Sequence, residues 1–496
     1  MQDTKPVAAA RPAFLAGSKC LWIGGQWVPA ASGEEFDVIN PADGSLLTRL
    51  ARGSAVDVDR AVAAARVAFE GPWSRFTPIE RQKLLLRISE LMLQNAEELA
   101  TIETMDMGAP IARTRAMVNS ISGTIRFFAS CTGAATTTTN SNSLPGKIMT
   151  LTHKAPLGVV GGIIPWNGPL GGQWWTLGPA LATGCTVVLK PAEDASLSVL
   201  RFADILTEAG VPDGVVNIVT GYGSDAGSAL AAHRGVDKIS FTGSTETGRK
   251  IVQASAGNLK RLQLELGGKS PDIVFADADL DRAVPGAAMA VYNNSGQICF
   301  SGTRLFVQRS IQDEFVERLK KFSAALKVGN GLHDGVDLGP LISQRQLDRV
   351  MGYLDIGPKE GATLATGGRR LGGALSSGYF VEPTVFANVN NAMTIAREEI
   401  FGPVISVIPF DTVEEVLKLA NDTDYGLAGG VWTSSLATAH QVSQAIRSGT
   451  VWVNCYGTVD PSVGFGGVKM SGYGWKGSQE HVDSFLYRKA VYMNID

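Results

Sequence analysis

Between residues 155 and 275 the chain alternates short apolar runs with stretches of helical spacing. Residues 158–164, 186–189, 215–219, 238–241 and 262–266 read as strands dominated by apolar side chains and glycine. Helical spacing follows the first strand through residue 181, then covers 197–209 up to Gly210 and Pro212. It runs briefly to 232 and returns over 245–256. Strands that lack polar alternation are buried on both faces, so this order predicts a parallel sheet with helices on each side. In such sheets ligands bind at the carboxyl ends of the strands. After Pro271 a second α/β series is expected, with strands at 305–307 and 404–409 and helices at 313–326 and 413–421. Residues 135–153 differ from both series. A threonine run at 136–139, then Pro145-Gly146, then the stretch 148–153 predict an extended hairpin. The tail 485–495 also reads as a strand, and extended segments of this kind often augment a neighbouring sheet.

At 496 residues the chain exceeds one ordinary core, so two large domains, or three with a small one, are expected. Lys plus Arg number 44 and Asp plus Glu 47, a net charge of -3 that gives no electrostatic case for nucleic acid or an anionic membrane. The five cysteines (Cys20, Cys131, Cys185, Cys299 and Cys455) are scattered and odd in number, which favours free thiols in a reducing compartment. Five dispersed histidines show no HxH or HExxH spacing, so no metal site is expected. The N-terminus has no continuous apolar segment of the secretory type, and its first eighteen or so residues are expected to fray. Apolar runs such as 158–166 are too short and glycine-rich to cross a bilayer. A cytoplasmic enzyme is the expectation from these features.

Two segments offer covalent chemistry. Gly296-Gln297-Ile298-Cys299 carries a thiol, and Leu264-Glu265-Leu266-Gly267-Gly268 carries a carboxylate beside glycines. A thiol nucleophile with a base is the minimum for attack on a carbonyl carbon. Phe241–Gly248, FTGSTETG, stands at a strand-to-helix junction where backbone N–H groups could meet a phosphate. Its spacing is not GxGxxG, and an ordinary capped turn explains it equally well. Lys190 and Glu193 end the neighbouring strand, where a carboxylate suits ribose hydroxyls and a surface ion pair is the alternative. Ile164-Pro165-Trp166-Asn167 ends the first strand with an amide able to stabilise an oxyanion, or simply to form a turn.

Taken in order, these segments resemble the aldehyde dehydrogenase superfamily, from about residue 20 to the C-terminus. The likeness rests on IIPWN at 163–167, TVVLKPAE at 186–193, FTGSTETG at 241–248 and LELGGKSP at 264–271. GQIC at 296–299, EEIFGPV at 398–404 and FGGVKMSG at 465–472 complete it. The resemblance implies a Rossmann-like cofactor domain (1–133 with 155–267), an α/β catalytic domain (268–475) and a small β oligomerisation extension (134–154 with 476–496). It implies a homo-oligomer, dimer or tetramer. Cys299 would be the nucleophile, Glu265 the general base, and Asn167 with the Cys299 backbone N–H the oxyanion hole. Lys190 and Glu193 would hold the adenosine ribose, with Gly223 nearby, while Gly243, Ser244 and Gly248 shape the diphosphate site. Ile164, Pro165, Trp166 and Leu266 would line the cofactor, and Glu399 and Phe401 would orient the nicotinamide end. The implied cofactor is NAD, because Glu193 would repel the 2′-phosphate of NADP. The implied reaction converts an aldehyde to its acid through a thiohemiacetal and then a thioester on Cys299.

The chain also departs from the family pattern. Where a bulky aromatic and then large aliphatics are common, it has Gly168, Gly171 and Gly172, followed by Trp174 and Trp175. Gly457 and Val459 replace larger or polar residues, Phe465 keeps its aromatic ring, and Ile298 and Phe300 flank the cysteine. This set predicts a wide apolar channel with no cation for a substrate carboxylate, and hence a bulky aromatic or terpenoid-like aldehyde. If neighbouring side chains refill the glycine space, a small aliphatic aldehyde or semialdehyde fits instead. A CoA-acylating or a non-catalytic member of the fold is a further alternative, which retention of Glu265 disfavours. Thr176 stands where a lysine is frequent, and Trp475-Lys476 where Arg-Glu is frequent, so no proton relay through those positions is carried over.

Overall fold

The computed structural model describes residues 11–496. Residues 1–10 of the stretch expected to fray lie outside the described residues. From Arg11 onward that expectation is corrected. Ala13–Leu15 forms a short 3-10 turn, and Leu15 is buried in the same cluster as Trp22 and Leu47, because an apolar side chain there closes the end of the core.

An eight-stranded sheet carries the first series. Its parallel centre runs, side by side, Arg261–Glu265, Lys238–Thr242, Val159–Ile164, Thr186–Pro191 and Val216–Ile218. Leu21–Ile23 and Gln26–Val28 extend one edge antiparallel, and Gly472–Tyr473 closes the other against Arg261–Glu265. The strands are apolar on both faces because both are covered. Val160, Val187 and Val216 share a cluster with Leu177 and Leu200, while Val159, Val188 and Ile239 pack with Ala61 and Leu230. Gly161 and Gly162 sit where a Cβ would meet Ile239 and Leu189, so glycine lets those side chains close over the middle strand.

The second, seven-stranded sheet has the order Thr363–Thr366, Thr384–Ala387, Val404–Phe410, Arg304–Gln308, Pro271–Val274, Ala428–Trp432, Thr450–Val453. Alternate residues again enter two clusters. Val274, Leu305 and Val407 pack with Phe315, whereas Ile273, Phe306 and Ile408 pack with Val350 and Val416. Burying one such side chain contributes roughly 1.5–3 kcal/mol. The helices Gln312–Ala325 and Val413–Asn421 stand where the pattern put them. The apolar pattern gives no reading for four helices between Ala55 and Ser130; Ala55–Glu70 packs on the first sheet, and Pro78–Gln94, Ala96–Met107 and Ile111–Ser130 pack on the helices that cover it.

The hairpin forms as Thr137–Asn140 and Ile148–Pro156, and the tail strand Leu486–Asn494 pairs with it, from Leu486↔Pro156 to Asn494↔Ile148. Tail and hairpin therefore make one three-stranded sheet within the chain. Among the described residues, no helix is long and apolar enough to cross a membrane.

Candidate active site

Four neighbouring strands of the first sheet end in a row at Glu265, Thr242, Ile164 and Pro191. Register makes the row: Thr242 lies opposite Glu265, and Ile164 opposite Pro191. The motifs IIPWN, LKPAE, FTGS and LELGG thus leave the sheet side by side, as carboxyl-end binding in parallel sheets requires.

The thiol reaches this row on a strained loop. Helix Leu280–Tyr292 ends in the turn Asn293–Gly296, where Asn294 (φ 55), Ser295 (φ 55) and Gly296 (φ 75) are all left-handed. Asparagine and glycine tolerate that conformation, but serine must be held there by its surroundings. Ser295 Oγ donates to Gly339 O at 2.7 Å, and Asn294 Nδ2 donates to Asn167 O at 3.1 Å. Gln297 Oε1 accepts from Ile342 N at 2.9 Å. Asn294 and Ser295 have no place in the sequence motifs, although consecutive Asn-Ser-Gly shortly before a cysteine is a usable turn signal. Cys299 itself is half-buried. A Cβ on Gly268 would collide with the Cys299 carbonyl, so the two glycines after Glu265 let the segments meet. Asn167 Nδ2 donates to Gln297 O at 2.8 Å, which places its amide beside the Cys299 loop with a second N–H to spare.

Burial dominates the electrostatics. Glu265 is 2% exposed and neither carboxylate oxygen has a partner. Burial pushes its pKa up to about 8, against the opposing pull of Lys476. Burial also pushes the Cys299 thiol up to about 12. Lys476 opposes that shift, and the negative charges of Glu265 and Glu399 add to it. Burial lowers the pKa of Lys476 itself, resisted by the same Glu265 and Cys299.

On the neighbouring side, Lys190 Nζ donates to Glu193 Oε2 at 2.8 Å, with Lys190 buried and Glu193 partly open. A Cβ on Gly223 would stand 4.0 Å from that ammonium. Ser244 Oγ caps helix Thr245–Ser255 by accepting from Thr247 N, Gly243 N donates to Glu265 O, and Leu266 fills the space beside Gly248. Glu399 Oε1 accepts from Gly268 N at 2.9 Å, and burial pushes its pKa up to about 7. Phe401 is left-handed (φ 62) and meets Trp166 edge-on at 5.2 Å, beside the half-buried Pro165 and the buried Ile164.

The glycines expected to line a substrate channel are not equivalent. A Cβ on Gly168 would meet nothing within 4 Å, and one on Gly171 would make ordinary contact with Ile121 and Met117. At Gly172 it would meet Ile164 at 3.2 Å and Pro165 at 3.4 Å. The expectation that Gly172 widens the channel is therefore corrected: that space is taken up by the strand end beneath it. A Cβ on Gly457 (φ 76) would meet Phe300 at 3.4 Å. Phe300 packs against Trp452 at 5.5 Å and Phe465 at 5.7 Å, and Tyr456 donates to its carbonyl. Ile298 is half-buried, Val459 is exposed, and Trp175 packs against Phe128 and His481.

Residues 27–491 match the model of the aldehyde dehydrogenase family. The chain is 46% identical over 475 residues to aldehyde dehydrogenase 1 of Tanacetum cinerariifolium, covering 95% of this chain and 94% of that one. It is 44% identical over 474 residues to the mitochondrial benzaldehyde dehydrogenase of Antirrhinum majus, with coverage of 95% and 88%. Its fold is similar to the NAD+ complex of aldehyde dehydrogenase from Bacillus cereus, at a TM-score of 0.95, 44% identity and 98% coverage of both chains. With the thiol, the buried carboxylate and the strand-end row in their places, the chain belongs to the aldehyde dehydrogenase family, a family of oxidoreductases.

Proposed function

We propose that this enzyme oxidises a bulky apolar aldehyde to its carboxylic acid with NAD, through a thiohemiacetal and a thioester on Cys299. The observation that carries the reading is the contact of Gly268 with the Cys299 carbonyl, which brings a thiol and a buried, unpartnered carboxylate to one strand-end row. The cofactor face fits a dinucleotide. Glu193 beside Lys190 offers a carboxylate to vicinal hydroxyls and repels a 2′-phosphate. The Ser244-capped helix start suits a diphosphate. Bound nicotinamide supplies the hydride acceptor.

The chain's own residues do the rest. Cys299 attacks the carbonyl carbon, and the Asn167 amide with the Cys299 N–H takes up the oxyanion charge. Glu265 takes a proton from the water that cleaves the thioester, a role for which a base with a pKa near 8 is poised. Open space at Gly168 and the aromatic group of Phe300, Trp452 and Phe465 support a large apolar substrate. We further infer a cofactor domain of 1–133 with 155–267, a catalytic domain of 268–475, and a homo-oligomer formed through the three-stranded sheet, in a reducing, cytoplasmic setting.

NADH absorbance across a graded aldehyde panel tests the reading, with NADP as the competing cofactor and Cys299→Ala as control. Each added buried methylene contributes roughly 0.8 kcal/mol, so KM is expected to fall several-fold per step along an apolar series. Preference for short aldehydes or succinic semialdehyde would overturn the substrate class, and a higher kcat/KM with NADP would overturn the cofactor.

A further inference from the structure

Lys476 is a buried cation that no role in the reaction described so far uses. Its backbone forms a bridge with Phe465, donating to and accepting from it at 2.6 and 2.7 Å. The residue after Phe465, Gly466, lies so near the carboxylate that a Cβ there would stand 3.2 Å from Glu265 Oε1. The side chain runs back into the sheet, and Nζ donates to Thr242 Oγ1 at 2.6 Å. Thr242 is the register partner of Glu265 in the parallel pair, so the two side chains stand on one face, with strands about 4.8 Å apart. An ammonium has three donors and Thr242 takes one. Across the pair lie two carboxylate oxygens, buried and without any partner.

We propose that Lys476 is a positioning residue of the reaction, an ammonium anchored on Thr242 that favours the ionised form of Glu265 and the thiolate of Cys299. The inference rests on the reading of Cys299 as nucleophile and Glu265 as base. Lys476 is the charged group whose field opposes the burial of both, and they in turn hold its proton. The other charged or titratable groups around it are accounted for. Glu399 acts on Cys299 with the opposite sign, and His481, on the short helix Ser478–Asp483, is kept neutral by burial with Lys238 and Lys476 beside it. A buried cation serving two groups that must both be anionic in turn explains why a lysine is kept in so dry a place, since an unpaired buried ammonium is costly.

The test uses the full chain as wild type, Lys476→Met and Lys476→Arg. Alkylation of Cys299 by iodoacetamide is followed at the peptide level across pH, beside NADH formation and thermal melting. In Lys476→Met, Cys299 is expected to be alkylated about tenfold more slowly at neutral pH than in wild type. The acid limb of NADH formation moves to higher pH, and Lys476→Arg restores most of both. Superposition of the wild-type and Lys476→Met profiles would overturn the proposal. If Lys476→Met does not fold, Thr242→Val, which removes the anchor, is expected to give a smaller shift of the same sign, and a coincident profile there overturns it equally. Failure of the underlying reading is distinct: Cys299→Ala would then still form NADH from aldehyde.

Discussion

A carboxyl group placed in a dry pocket without hydrogen-bond partners resists ionisation, and Glu265 is such a group. In the role proposed for it Glu265 acts deprotonated, so thioester hydrolysis is expected to rise with pH toward about 8 and to flatten above it. Glu265→Gln keeps the size of the side chain and removes the base. Its steady-state rate is expected to drop roughly 100-fold or more, with the limb near pH 8 lost from the profile. An unchanged pH profile in that variant would assign the limb to another group. At this scale the thiol, carboxylate and amide of the proposed site were legible as candidates, because each sits in a recognisable motif. Lys476 was not. Its position depends on the chain returning past Phe465 and reaching Thr242, a contact that no local pattern encodes.

Among the elements, the meeting of two segments at Gly268 governs the site. Gly268→Ala would force a Cβ onto the Cys299 carbonyl, and the Cys299 loop would have to shift. A displacement of about 1 Å at the reacting atom costs on the order of 100-fold in rate, so kcat should fall far more than melting temperature. Wild-type turnover in that variant would contradict the tight approach. The second sheet carries a separate signature. Asp272 on Pro271–Val274 accepts from Trp432 Nε1 at 2.9 Å through one oxygen, and its other oxygen has no partner. Burial raises its pKa from 3.8 to about 7 in the folded chain. The folded state thus holds a proton that the unfolded state has released between those values. That contribution is complete below 3.8 and is lost as pH rises through 7. Across this window wild type is expected to lose stability relative to Asp272→Asn, by at most about 1.4 kcal/mol per pH unit in denaturant titrations. The same strand shows why the second sheet was harder to read. Pro271-Asp272 and the glycines of Ala428–Trp432 interrupt the apolar runs, and the polar atom is satisfied by a tryptophan far along the chain. By contrast, the helices Leu197–Ala209 and Val413–Asn421 have unbroken periodicity and stand where it put them.

For the molecule as a whole, the tail matters as much as the two large sheets. Leu486–Asn494 covers one edge of Ile148–Pro156 over its full length. A chain ending at Phe485 would leave that edge bare, and unpaired edges template association. Lower melting temperature and aggregation in light scattering are the expected results, and unchanged behaviour would show that this sheet lies outside the cooperative unit. The tail and hairpin were each legible as extended segments, but their pairing to each other was not, because register between strands so distant in sequence leaves no local mark. The row of strand ends unites these scales, since it brings the Cys299 loop, the Glu265 segment and the Lys476 turn together. The most direct measurement is the intact mass of the Glu265→Gln variant mixed with NAD and benzaldehyde. One acyl group on Cys299, formed with one equivalent of NADH and then persisting, is the predicted result. NADH production with no acyl group on Cys299, or at the wild-type rate in Cys299→Ala, would contradict the account.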